Sequence, residues 1–154
     1  ISMKTLLIFT TVFAVFTACQ SPEESSNTPD AQVTSPVKDG ILIHMTSGYD
    51  DPHRVLMPLK MANMMAADKE VILYLDIDAV NLVLKDSEDL ENEGFDPLKM
   101  QLQTLIEKNI AIYACPTCLN VAGHSPEDLT EGVQVAEKEK FFNFTDGKIV
   151  SLSY

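Results

Sequence analysis

The stretch that most constrains the fold is Ile110 to Gly123, IAIYACPTCLNVAG. Ile110 to Ala114 is an unbroken apolar run rich in β-forming residues, the pattern of a strand buried on both faces of a parallel sheet. Pro116 falls at what would be the first helical position, where its missing N–H costs nothing. Leu119, Ala122 and Gly123 then supply a short apolar face and a C-terminal glycine. The order is therefore strand, cysteine, helix, with Cys115 at the N-cap. A thiol there meets the unpaired amides and the positive end of a helix, which favours the thiolate. Cys118, three residues on, falls on the same helical face, within reach of a disulfide or a sulfur handover.

The segments on either side have the same alternation. Gly40 to Met45 (GILIHM) reads as a first strand with a turn after it. Asp51 and Pro52 start a helix carried by Val55, Leu59, Ala62 and Ala66, in which Pro58 predicts either a separate first turn or a kink. Glu70 to Leu75 (EVILYL) is a second strand and Ala79 to Leu84 a short apolar helix. Lys85 to Asp96 is an acidic loop, solvated or closing as a lid. A helix starting at Asp96 and Pro97 turns Leu98, Leu102, Leu105 and Ile106 to the core and ends near Asn109. Beyond the cysteines, Ser125 to Asp128 forms a capping arrangement that opens a short helix to Gly132. A brief strand at 133–136, a helical or irregular stretch at 137–144 and a closing strand at 149–154 complete the chain. Alternating strands and helices predict a three-layer α/β/α domain with a mostly parallel sheet of about five strands, and sites at the strands' carboxyl ends. Three such ends stand out: Thr46 to Asp51, Asp76 to Asp78, and Cys115.

The first eighteen residues have a different character. Lys4 precedes an apolar run from Leu6 to Phe16, too short to span a bilayer comfortably. It ends in Phe16-Thr17-Ala18-Cys19, which resembles the lipobox of bacterial lipoproteins, so residues 1–18 are expected to be a signal peptide and Cys19 the lipidated N-terminus. Residues 19–39, rich in Ser, Pro and Glu, read as a flexible acidic tether to the domain at 40–154. The expectation is an extracytoplasmic, lipid-anchored protein. Gln20 in place of Asp favours the outer membrane, facing the periplasm or the surface.

The formal net charge is -12, and loss of Lys4 with the signal makes it -13, which argues against nucleic acid and against electrostatic adhesion to anionic lipid. With Cys19 used by the lipid, Cys115 and Cys118 are the remaining cysteines. Two cysteines this close add little loop-closure stabilisation, so a purely structural bridge explains them poorly.

HMTSGYDDPHRVLMPLKMA after the first strand, VILYLDIDAV at the second, and IYACPTCLNVAGH followed by LTEGVQVAE resemble the DsrE/DsrF-like sulfur-relay proteins over Gly40 to Tyr154. The resemblance implies an α/β/α domain, often a trimer or hexamer, in which the cysteine at position 115 carries sulfur as a persulfide and hands it to partner subunits. It implies sulfur donor and acceptor proteins or small sulfane-sulfur compounds as partners. The best-studied members are cytoplasmic and without a lipid anchor, and many lack the second cysteine, so Cys118 raises the prospect of disulfide chemistry.

The leading reading is persulfide transfer, with Cys115 attacking a sulfane donor and Cys118 available to resolve the product. A CPTC thiol–disulfide oxidoreductase is the alternative, although no downstream cis-proline signature accompanies it. Zinc on Cys115, Cys118 and His124, with His44 or His53 as a fourth ligand, is a third reading, and copper(I) on Met57, Met61, Met64 and Met65 a fourth. Methionines at helical spacing are more simply core packing, and neither a metal nor another cofactor is expected. His44 reads first as a core histidine and His124 as a helix terminator; both, with Tyr49, are candidates to line the cysteine site.

Overall fold

The computed structural model describes residues 36–154; the signal-peptide and lipidation readings, and the tether reading up to residue 35, lie outside the described residues. Five strands form one sheet in the order β4-β3-β2-β1-β5, with β1 Gly40–Met45, β2 Glu70–Leu75, β3 Ala111–Ala114, β4 Val133–Val135 and β5 Ile149–Ser153. Every pairing is parallel. The helices are α1 Pro52–Met65, α2 Leu98–Glu107, α3 Pro116–Val121 and α4 Lys138–Phe142. The three-layer α/β fold is as the alternation predicts, with the sheet parallel throughout.

The strand order dictates how the helices are divided. Passing from β1 through β4, each step moves the same way across the sheet, and right-handed crossovers place the connecting helices on one face. The return from β4 to β5 runs the other way, which puts α4 on the opposite face. Register separates the faces residue by residue. Ile43, Leu73, Ile112 and Val133 are lateral neighbours and belong to the main core, packed under Val55, Leu56, Leu59, Leu102 and Leu105. His44, Tyr74, Tyr113 and Gln134 form the alternate row on the α4 face. Ile72 and Tyr113 are buried there yet stand apart from the main cluster.

Local chemistry accounts for most boundaries. Asp51 caps α1 by accepting from the Arg54 N–H at 3.1 Å. Pro58 is accommodated inside one continuous helix, its ring buried among the core residues. Asn109, in the left-handed region at φ 58°, closes α2 and turns the chain into β3. The apolar stretch after β2 is a 3₁₀ segment, Ile77–Val83, that buries Ala79, Val80, Leu82 and Val83. The helix expected to reach Gly132 is a single 3₁₀ turn, Pro126–Asp128, closed by the Ser125 N–H donating to Asp128 Oδ2 at 2.8 Å. It stops there because Leu129 is drawn into the core and bridges to Leu84, while the Thr130 N–H donates to the Val83 carbonyl at 2.9 Å.

Candidate functional site

The ladder runs one residue past the named strands. The Cys115 N–H donates to the Leu75 carbonyl at 2.8 Å and the Asp76 N–H to the Met45 carbonyl at 3.1 Å. Asp76 and Cys115 thus lie side by side at the carboxyl ends of β2 and β3. Each is two residues beyond a member of the His44–Tyr74–Tyr113 row, and so on the α4 face.

Two diagonal pairs result. His44 on β1 reaches the residue two ahead on β2: its Nε2 is 2.9 Å from Asp76 Oδ2. His44 Nε2 and Asp76 Oδ1 are both buried and have no hydrogen-bond partner among the described residues. Tyr74 on β2 makes the same step to Cys115 on β3, and its hydroxyl favours the thiolate of that cysteine. The His44 and Tyr74 ring centroids are 5.6 Å apart, so the two diagonals are in contact.

Cys115 caps α3 as the sequence predicts, its Sγ accepting from the Cys118 N–H at 3.4 Å. Burial opposes ionisation of this thiol, but the Tyr74 hydroxyl, the Cys118 N–H and thiol, and the Thr117 N–H together outweigh it and hold its pKa below the ordinary cysteine value. Cys118 moves the other way. The Ile77 N–H favours its thiolate, but burial, the hydrogen bond to Cys115 and the charges of Cys115 and Asp76 prevail and raise its pKa. The two sulfurs are thus driven in opposite directions, Cys115 toward the thiolate and Cys118 toward the thiol, and neither is in a disulfide. Tyr74 stays protonated well above the usual phenol range, chiefly through burial and then through its bond to Cys115. It is a donor to sulfur at any physiological pH.

Ile77 holds the Asp76 turn in a conformation that β-branched residues seldom adopt, φ 50°, while its side chain is 58% exposed. The strained residue directly follows Asp76, at the carboxyl end of β2 beside the cysteine motif.

Of the residues singled out in the sequence, the structure brings Cys115, Cys118 and His44 to this strand end. Tyr49 and His124 line a different cleft of about 340 Å³, bounded by Asn81, Lys85 and Glu88, where the Tyr49 hydroxyl donates to the Glu88 carbonyl at 2.9 Å. The start of the Lys85–Asp96 loop, Lys85 to Glu88, thus lines that cleft. His53 is exposed on α1 with its ring 5.0 Å from that of Phe95, and Met61 and Met65 pack against the core. Among the described residues, no three His, Cys, Asp or Glu side chains converge as a metal site. Tyr74 is the functional residue that sequence reasoning missed. Its signal was the two-residue step from Tyr74 to Asp76, which puts both on one face, but only the register reveals that Cys115 is their neighbour.

The profile of the DsrE/DsrF-like family matches residues 39–146. Among solved structures, the ychN protein of E. coli superposes with a TM-score of 0.60 at 20% identity, covering 75% of this chain and 100% of that one. A protein of unknown function, MTH1491 of Methanobacterium thermoautotrophicum, follows at a TM-score of 0.52 and 20% identity, covering 75% of this chain and 99% of that one. At that identity the likeness is one of fold. No curated protein matches the chain.

Proposed function

The chain belongs to the DsrE/DsrF-like family, and on that footing we propose that it is a sulfur carrier holding a persulfide on Cys115 and passing it to a partner thiol. The observation that carries this reading is the placement of Cys115 at the N-cap of α3 on a strand's carboxyl end, its sulfur accepting from the Cys118 N–H at 3.4 Å and its pKa held below the ordinary cysteine value. The thiolate attacks the outer sulfur of a donor persulfide, the donor S–S bond breaks, and its electron pair leaves on the donor thiolate. The N-cap position then holds the anionic outer sulfur until an acceptor thiolate attacks it and returns Cys115 to the thiolate. We further propose that Cys19 carries a lipid anchor placing this chemistry outside the cytoplasm, and that the chain acts as an oligomer with donor and acceptor partners.

A second reading, thiol–disulfide exchange by the CPTC pair, is favoured by the placement of Cys118 one helical turn from Cys115, its N–H 3.4 Å from the Cys115 sulfur. Cyanolysis separates the two. Cyanide takes the outer sulfur of a persulfide as thiocyanate and leaves a thiolate, whereas an oxidised dithiol has no sulfane sulfur to give. After treatment with polysulfide, the carrier reading requires thiocyanate from the wild type and none from Cys115→Ser.

A further inference from the structure

The α4 face of the sheet is thinly covered, and its apolar surface gathers beside the reactive thiol. The Tyr74 and Phe141 rings meet edge-on with centroids 5.0 Å apart, and Phe141 meets Phe142 in the same manner at 5.2 Å. With Pro116 they line a mainly apolar cleft of about 290 Å³, close to the lower bound for small-ligand clefts. Phe142, at its rim, is 65% exposed. Tyr74 and Pro116 bring the cleft to the thiol, the first as the diagonal neighbour of Cys115 across the β2–β3 register and the second as the residue that follows it in the chain.

The charges at the thiol end of this approach disfavour anions. Glu137 is in the lining and Lys140 is tied to it at 2.8 Å, while Lys138, also in the lining, makes no ion pair among the described residues. Asp76 lies beside Cys115 at the far end, Cys115 is itself an anion when reactive, and the whole chain carries a formal charge of -12. An anionic donor such as thiosulfate meets repulsion along this route. Sulfur in uncharged chains or rings is apolar and polarisable and makes favourable contacts with aromatic rings.

Resting on the carrier reading, we propose that the aromatic cleft of Tyr74, Phe141 and Phe142 admits uncharged sulfane sulfur, elemental sulfur or an organic polysulfane, to Cys115. With ring sulfur the step balances without a co-reactant. The Cys115 thiolate pair forms a new S–S bond to one ring atom, the adjacent ring S–S bond breaks, and its electron pair stays on the far end of the opened chain. That end is a terminal perthiolate, from which an acceptor thiol can draw sulfur.

The test uses the full chain carrying Cys19→Ser, so that Cys115 and Cys118 are its only thiols, with Phe142→Asp and Phe142→Leu as variants. Sulfur loading is followed by intact mass with elemental sulfur, a dialkyl trisulfide, thiosulfate or inorganic polysulfide as donor, and iodoacetamide alkylation reports thiolate reactivity independently. Wild type is expected to load from elemental sulfur faster than from thiosulfate. Phe142→Asp should slow elemental sulfur about five- to tenfold more than it slows iodoacetamide, and Phe142→Leu should restore most of the rate. The trisulfide arm separates the two sources: the same loss there means that the cleft takes organic chains as well as the ring. Loading from elemental sulfur that is as fast in Phe142→Asp as in wild type, or slower in wild type than loading from thiosulfate, overturns the proposal and leaves the carrier reading standing. If no donor, polysulfide included, loads Cys115, the carrier reading falls with it.

Discussion

Tyr74 and Cys115 are related by the same diagonal step between neighbouring strands that relates His44 to Asp76: two residues forward and one strand across, on the α4 face. The first pair joins a phenol to a sulfur, the second an imidazole to a carboxylate, and their rings touch. A parallel sheet produces this repetition because register partners on adjacent strands point the same way. The chemistry of the site is therefore a property of the sheet as much as of the cysteine motif.

Tyr74→Phe tests the first diagonal. Burial works against ionisation of Cys115 and the donors outweigh it, so removing the hydroxyl lets the thiol pKa rise. The thiolate is the reactive form, present above that pKa, so the alkylation rate profile moves to higher pH. At neutral pH the rate should fall about tenfold, the lower end for a hydrogen bond to a charged group. An unshifted profile would remove Tyr74 from the site.

Cys118→Ala separates resolving from carrying. In a persulfidated wild type, the Cys118 sulfur can attack the inner sulfur of Cys115, form the disulfide and expel sulfide. The variant keeps the backbone N–H 3.4 Å from Sγ but loses the thiol. It should hold its sulfur longer and release no sulfide spontaneously, measured with a sulfide electrode after polysulfide is removed.

Ile77→Asn tests the strained turn. A left-handed conformation costs a β-branched residue roughly 1–2 kcal/mol, and asparagine tolerates it. The Ile77 side chain is largely exposed and contributes little packing. Urea unfolding should show a gain of about 1 kcal/mol, and a loss would mean that the turn is not strained.

Gly132→Ala should move stability the other way. Gly132 has φ 91°, and an added Cβ would sit 2.6 Å from Ile106 Cγ2, just ahead of the strand that flanks β3. Backbone strain and the clash together are expected to cost about 2 kcal/mol or more by urea unfolding.

How much of this was legible depended on which interactions decide each feature. β1 and β2 were readable residue for residue, because buried parallel strands are short apolar runs with polar or glycine boundaries. The N-cap role of Cys115 was readable for the same local reason, since Pro116 fixes where α3 begins. Pro58 left two outcomes open because the sequence does not reveal that tertiary burial holds the helix together around it. The helix expected to reach Gly132 failed on a long-range contact, Leu129 with Leu84, which no window around residue 129 contains. Tyr74 escaped notice because its partner is 41 positions away and they become neighbours only through β2–β3 register. Tyr49 and His124 went to another cleft because the Lys85–Asp96 loop, whose path has no periodic pattern, folds back over the first strand's carboxyl-end loop.

The most direct test of the central claim is the intact mass of the Cys19→Ser chain after polysulfide and again after excess dithiothreitol, alongside Cys115→Ser and Cys118→Ser. The account predicts a gain of whole sulfur atoms that requires Cys115, survives in Cys118→Ser and is removed by the thiol. A wild type that only loses two hydrogens, closing a Cys115–Cys118 disulfide without retaining sulfur, would contradict it.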